Sequence, residues 1–169
     1  MGREVRRVPA DWQHPKRWTG GPRGPVERFK PLHPVEHYQS TVDEWDEECA
    51  KWKTGWRPEF CTEEDRSKAY EQWAGQRPHR DDYMPNWPDE QRTHLMMYED
   101  TSEGTPISPA FETPEELARW LTDTGASAFG RQTGSYEGWL AIARGGWAPS
   151  LVVGPAGCVT DVDAAAGLM

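Results

Sequence analysis

The chain has 169 residues, a formal net charge of −9 and a mean hydropathy of −0.90, and 10 of its residues are Trp. Its 11% aromatic content separates it from disordered chains of similar polarity, and its length suffices for one domain with a core, or a domain plus an ordered arm. The negative balance disfavours a sequence-independent hold on duplex DNA or on an anionic membrane, since both require positive surface.

Residues 1–40 carry "VPADWQHPKRWTGGPRGPVERFKPLHP". Each Pro removes a backbone donor and pushes the residue before it towards extended geometry. The stretch is expected to be an irregular, basic arm, packed on the core by Trp12, Trp18 and Phe29. The opening residues lack the apolar run of a signal peptide, and no apolar stretch is long enough to span a bilayer. An α+β domain is expected over 41–164, with a frayed tail at 165–169.

The first helix is expected over 42–53, with Thr41 as N-cap and Glu44 completing a capping box. Trp45, Cys49 and Trp52 then fall on one face. A second helix is expected over 63–74, from Thr62 to Gly75, with Tyr70 and Trp73 on a shared face. "GQRPHRDDYMPNWP" reads as extended, and "THLMMYE" reads as a strand. "TSEGTPISP" is the connection after it, and "ISPAF" is the returning strand. Thr113, Pro114 and Glu116 start a third helix, with Leu117, Trp120 and Leu121 turned to the core. A fourth starts at Ser135. "SLVV" pairs with "GCVTDV" across "GPAG". The fold class is therefore α+β: a small, mainly antiparallel sheet with three to four helices and extensive irregular Pro- and Trp-rich segments.

The chemistry points away from an enzyme, and no cofactor is expected. Three cysteines, Cys49, Cys61 and Cys158, form no CxxC, leave an odd one out and suit a reducing compartment. His33 and His37 sit four apart, but Pro34 interrupts a helix across them, so a zinc site there is a minor reading beside solvated loop histidines. Neither GxSxG nor a Gly-rich phosphate loop is present.

"TSEGTPISP" has two readings. It is either a turn whose hydroxyls bond local backbone, or a rigid polar loop lining a ligand site. The second reading takes Ser102, Glu103, Gly104, Thr105 and Ser108 as ligand contacts. The tryptophans divide in a parallel way. Trp45, Trp52, Trp73, Trp120 and Trp139 have helical partners and read as core. Trp12, Trp18, Trp56, Trp87 and Trp147 lie in irregular segments, where they either pin coil to the core or stack a base. Trp18, Trp87 and Arg80 complete the candidate ligand set.

"DDYMPNWPDEQRTHLMMYEDTSEGTPISPAFETPEELARWLTDTGASAFG", followed by "SYEGWLAIARGGWAPSLVV", resembles an uncharacterised family of tailed-phage proteins with the run YExTSEGTPxSPxFxTxEELxxWL. The resemblance covers nearly the whole chain. It implies a small accessory protein acting in the host cytoplasm and brings no known reaction. Three functions are then open. One is a non-enzymatic binding protein that sequesters a nucleotide-type immune signal in counter-defence. Another is an acidic inhibitor of a host defence protein that mimics DNA. A virion or assembly component is a third. Expected partners are a small nucleotide-type ligand or a host protein, and a second copy of the chain, with no long nucleic acid and no membrane.

Overall fold

A computed structural model describes residues 2–99, 104–129, 132–148, 151–154 and 157–160. In chain order the elements are β1 (Arg3–Val8), β2 (Lys16–Gly21), β3 (Gly24–Phe29), α1 (Tyr38–Lys53), α2 (Glu63–Arg66), α3 (Tyr70–Ala74), β4 (His94–Glu99), β5 (Thr105–Pro106), α4 (Pro114–Asp123), β6 (Ser127–Phe129), β7 (Gln132–Thr133), α5 (Tyr136–Gly145), β8 (Trp147–Ala148), β9 (Leu151–Gly154) and β10 (Gly157–Thr160). The fold is α+β. A four-stranded antiparallel sheet has the order β5-β4-β1-β8, and β2–β3, β6–β7 and β9–β10 are separate two-stranded sheets. The chain divides into two compact units, Met1–Pro31 with Asn86–Met169, and Leu32–Pro85.

In the larger unit, residues 3–8 are not irregular coil, as their neighbours' prolines suggest. They form an inner strand, paired with β4 from Arg3↔Glu99 to Val8↔His94 and with β8 at Arg3↔Ala148 and Glu4↔Trp147. Apolar alternation is missing because two arginines occupy buried positions. Arg3 donates to the Ser127 carbonyl from Nε (3.1 Å) and Nη2 (2.9 Å) and faces Glu99 at 3.5 Å. Arg6 lies 4.4 Å above the Tyr98 ring and donates to Glu4. The second departure is the β2–β3 hairpin, turned at Pro22 and Arg23. Gly24 has φ 117°, and a Cβ on Gly21 would meet the Gly24 carbonyl at 2.9 Å, so both positions require glycine.

The core of this unit joins Leu95 and Met97 of β4 to Leu117, Ala118 and Leu121 of α4 and Trp139, Ile142 and Ala143 of α5. Both helices begin where their caps dictate. Thr113 Oγ1 accepts from the Glu116 N–H while Glu116 Oε2 accepts from the Thr113 N–H, each at 3.2 Å. Ser135 Oγ accepts from the Gly138 N–H at 3.2 Å, and α5 ends at Gly146 in the left-handed region (φ 86°). Trp120 packs against this core but is only half-buried. The strand returning from β4 is Thr105–Pro106, just before "ISPAF" and not within it, and Phe111 meets Leu95 in a single bridge. The expected pairing of "SLVV" with "GCVTDV" is present as β9–β10, from Leu151↔Thr160 to Gly154↔Gly157, while Ser150, Asp161 and Val162 lie outside the described residues. Residues 165–169 lie outside the described residues.

The smaller unit is built on aromatic rings. Trp52, Cys61 and Tyr70 are its buried centre, with Trp45, Cys49 and Trp73 packed around them. α1 starts earlier than its capping pattern suggests. His37 is its N-cap residue, and Thr41 sits inside the first turn, donating to the His37 carbonyl at 2.7 Å. The expected helix over 63–74 is two. Thr62 caps α2 as anticipated, but Ala69 is extended (ψ 153°) and α3 begins again at Tyr70. The break frees the Lys68 carbonyl to accept from Trp52 Nε1 at 3.0 Å. Tyr70 lies between Trp45 and Trp52 and donates from its hydroxyl to Glu48 at 2.5 Å. Burial, then Glu48, raises the Tyr70 pKa, so the phenol stays protonated.

Candidate ligand cavity

A cavity of about 640 Å³ opens in the larger unit. It lies within the range of small-molecule sites, roughly 300–1,000 Å³. Four stretches build its wall: Ala10–His14 after β1, Lys16 and Phe29 at the base of the hairpin, Met96 of β4 with Pro106 of β5 and Ile107–Ala110 after it, and Trp120 of α4. The lining is mainly apolar, with Lys16 and Asp11 as its charged side chains.

The chain fixes this wall with hydrogen bonds. The Ile107 N–H donates to the Met97 carbonyl at 2.9 Å, and Leu95 and Phe111 exchange bonds at 2.7 and 2.9 Å. Between these two tie points Ser108 Oγ accepts from the Met97 N–H at 2.9 Å and donates to the Pro109 carbonyl at 2.8 Å. A hydroxyl thus takes the place of a ladder carbonyl, and the apolar faces of Pro106, Ile107 and Pro109 are left to line the cavity.

The opposite wall hangs on Tyr98, which is fully buried. Its hydroxyl accepts from Trp12 Nε1 at 3.3 Å and lies 3.1 Å from His14 Nδ1. His14 Nε2 is 2.6 Å from the Lys30 carbonyl. A carbonyl only accepts, so Nε2 carries the hydrogen and Nδ1 of the neutral ring accepts from the Tyr98 O–H. The His14 pKa is lowered, first by burial. The Lys30 bond works in the other direction, and the Arg6 cation adds to the lowering. Burial pushes the Tyr98 phenol up to about 12. Trp87 supports Trp12 edge-on at 4.7 Å, and Phe29 meets His14 edge-on at 5.7 Å. Lys16 Nζ is 3.0 Å from Glu27 on the exposed surface of the hairpin.

Of the described residues expected to contact a ligand, Ser108 alone lines this cavity, and both its bonds go to backbone. Gly104 is buried with φ 53°, and Thr105 lies in β5 opposite Glu99. Ser102 and Glu103 lie outside the described residues. Trp18 is 70% exposed on the same face of the hairpin as Lys16 and Phe29. Trp87 supports the wall from behind Trp12. Arg80 belongs to the 32–85 unit, where Nη1 donates to the Met84 carbonyl at 2.8 Å. His33 is bridged to Tyr83. Among the described residues no group of three or more His, Cys, Asp or Glu could hold a metal ion, and no helix is long and apolar enough to cross a membrane.

Trp12 is one of the five tryptophans that the sequence offers as either pinning coil or stacking a base, but the sequence does not identify His14, Phe29, Ile107 and Trp120 as cavity walls. The legible signal was the Pro-x-x-Pro spacing of Pro106 and Pro109, which turns a rigid apolar edge inward. Compared with family models, with curated proteins and with solved structures, the chain matches none.

Proposed function

We propose that the chain is a non-enzymatic binding protein that holds a small ligand bearing a flat ring in the cavity between Trp12 and Trp120. The observation that carries this reading is the cavity itself, about 640 Å³ and walled by Trp12, Phe29, Met96, Ile107 and Trp120. A nucleotide-type ligand is the narrower form: a base stacked on indole, and a phosphate at the rim within reach of Lys16. Binding rather than catalysis fits the wall chemistry, because both ring nitrogens of His14 and the hydroxyl of Ser108 are already engaged. Sequestration of an immune signal in a phage-infected cytoplasm is the biological setting that the resemblance adds. The DNA-mimic reading is less well supported, since several carboxylates are matched internally, among them Asp46 with Arg77, Glu47 with Lys51 and Glu115 with Arg144.

Calorimetric titration with linear and cyclic nucleotides, and with the corresponding free bases, tests the proposal. Saturable binding that is lost in Trp120→Ala while the fold is retained supports the site. Retention of affinity by free bases with loss of the Lys16 contribution would restrict the ligand to uncharged aromatics. Absence of binding by every nucleotide and base overturns the reading.

A further inference from the structure

Residues 16–30 carry five basic side chains against one acid, Glu27, within a chain whose net charge is −9. The hairpin concentrates them. Arg17 stands directly opposite Arg28 on the two antiparallel strands, so the two guanidinium groups share one face, and Arg23 sits in the turn. Like charges placed opposite each other destabilise a strand pair. Lys16, by contrast, is matched to Glu27 on the other face. Among the described residues no carboxylate pairs with Arg17, Arg23 or Arg28. The hairpin is a sheet of two strands, the least self-sufficient kind, and it still exposes Trp18 (70%) and Val26 (43%). Folding stability explains neither the opposed arginines nor the exposed indole.

We propose that Arg17, Trp18, Arg23 and Arg28 of the β2–β3 hairpin, none of which lines the cavity, form a contact site for single-stranded nucleic acid. Arg17 and Arg28 on one face and Arg23 in the turn take phosphates, and a strand that wraps over the β2 edge stacks a base on the exposed indole of Trp18 on the opposite face. The pairing of a stackable ring with unmatched arginines is what a flexible polyanion with flat bases requires, and an acidic protein surface would leave Trp18 unused. Whole-chain charge disfavours long duplexes, but a contact of a few nucleotides depends on the local field, which is positive here.

Fluorescence anisotropy with a fluorescein-labelled oligothymidylate of about 20 nucleotides tests this on the full chain, across salt from about 20 to 200 mM. Three phosphates neutralised at roughly 0.7 each give an expected log–log salt slope of about −2. Arg17→Ala with Arg28→Ala removes a like-charge repulsion, so the hairpin is retained. Binding is expected to weaken by about tenfold or more, and the slope to fall towards about −0.7. Arg17→Lys with Arg28→Lys restores the slope. Trp18→Ala weakens binding with the slope unchanged. No anisotropy change at the lowest salt overturns the proposal, and so does binding indifferent to the Arg17 and Arg28 alanines. An oligo-glutamate of matched charge that binds where the oligonucleotide does not overturns it in favour of an acidic partner.

Discussion

Ser108 shows how one hydroxyl can decide the shape of a wall. Its Oγ is the acceptor for the buried Met97 N–H. Ser108→Ala is expected to cost about 1–3 kcal/mol, the penalty for a buried donor left unmatched, read as a lower urea midpoint with an unchanged m-value. His14 acts through charge. Its folded-state pKa lies below the ordinary 6.5, so the unfolded chain takes up a proton first as pH falls. The stability associated with neutral His14 is complete above about 6.5 and declines as pH drops below that value. The groups facing it, the Tyr98 hydroxyl and the Lys30 carbonyl, supply no negative charge, and Arg6 opposes protonation. His14→Gln should therefore unfold with a shallower loss of stability between pH 6.5 and 5 than the parent chain, measured by urea titration at each pH.

At the scale of elements, local chemistry was legible wherever it acts locally. The Thr113 box, the Ser135 cap and strand β4 are specified by side chains within four residues, or by an apolar run long enough to identify. Thr113→Ala is expected to cost about 1 kcal/mol, the usual loss for an N-cap, and a thermal melt against the parent chain checks it. The elements that could not be read share one cause: a distant partner decides them. β1 is a strand because β4 and β8 flank it, and its arginines are buried because Ser127, Glu99 and Tyr98 receive them. The break between α2 and α3 coincides with a bond from Trp52, 16 residues away. The cavity was half-legible for the same reason. "TSEGTPISP" announced a rigid segment, but only the register with β4 determines that Ser108 turns to backbone while Pro106 and Ile107 face the open space.

For the whole molecule, the two units differ in how they are stabilised. The larger holds an aliphatic and Trp139-centred core between sheet and helices; the smaller closes around indole and phenol rings with Arg57 stacked 3.8 Å from Trp52. The larger unit is also discontinuous in sequence, so its sheet joins β1 to strands more than 80 residues further on, which makes its contacts non-local. Trp139 is fully buried, and its replacement by Ala should cost about 3–5 kcal/mol, as for other large core aromatics. Trp52→Ala should cost a similar amount but act elsewhere, because its neighbours are Cys61, Tyr70 and Trp73 and none of the Trp139 cluster. Native-state hydrogen exchange reads the difference residue by residue. In Trp52→Ala, protection should fall in α1 and α3 while β4 and α5 keep theirs; in Trp139→Ala the pattern should reverse. Loss of protection across both units in either variant would mean that the chain opens as a single cooperative body, and the separation of the two cores would then have no energetic counterpart.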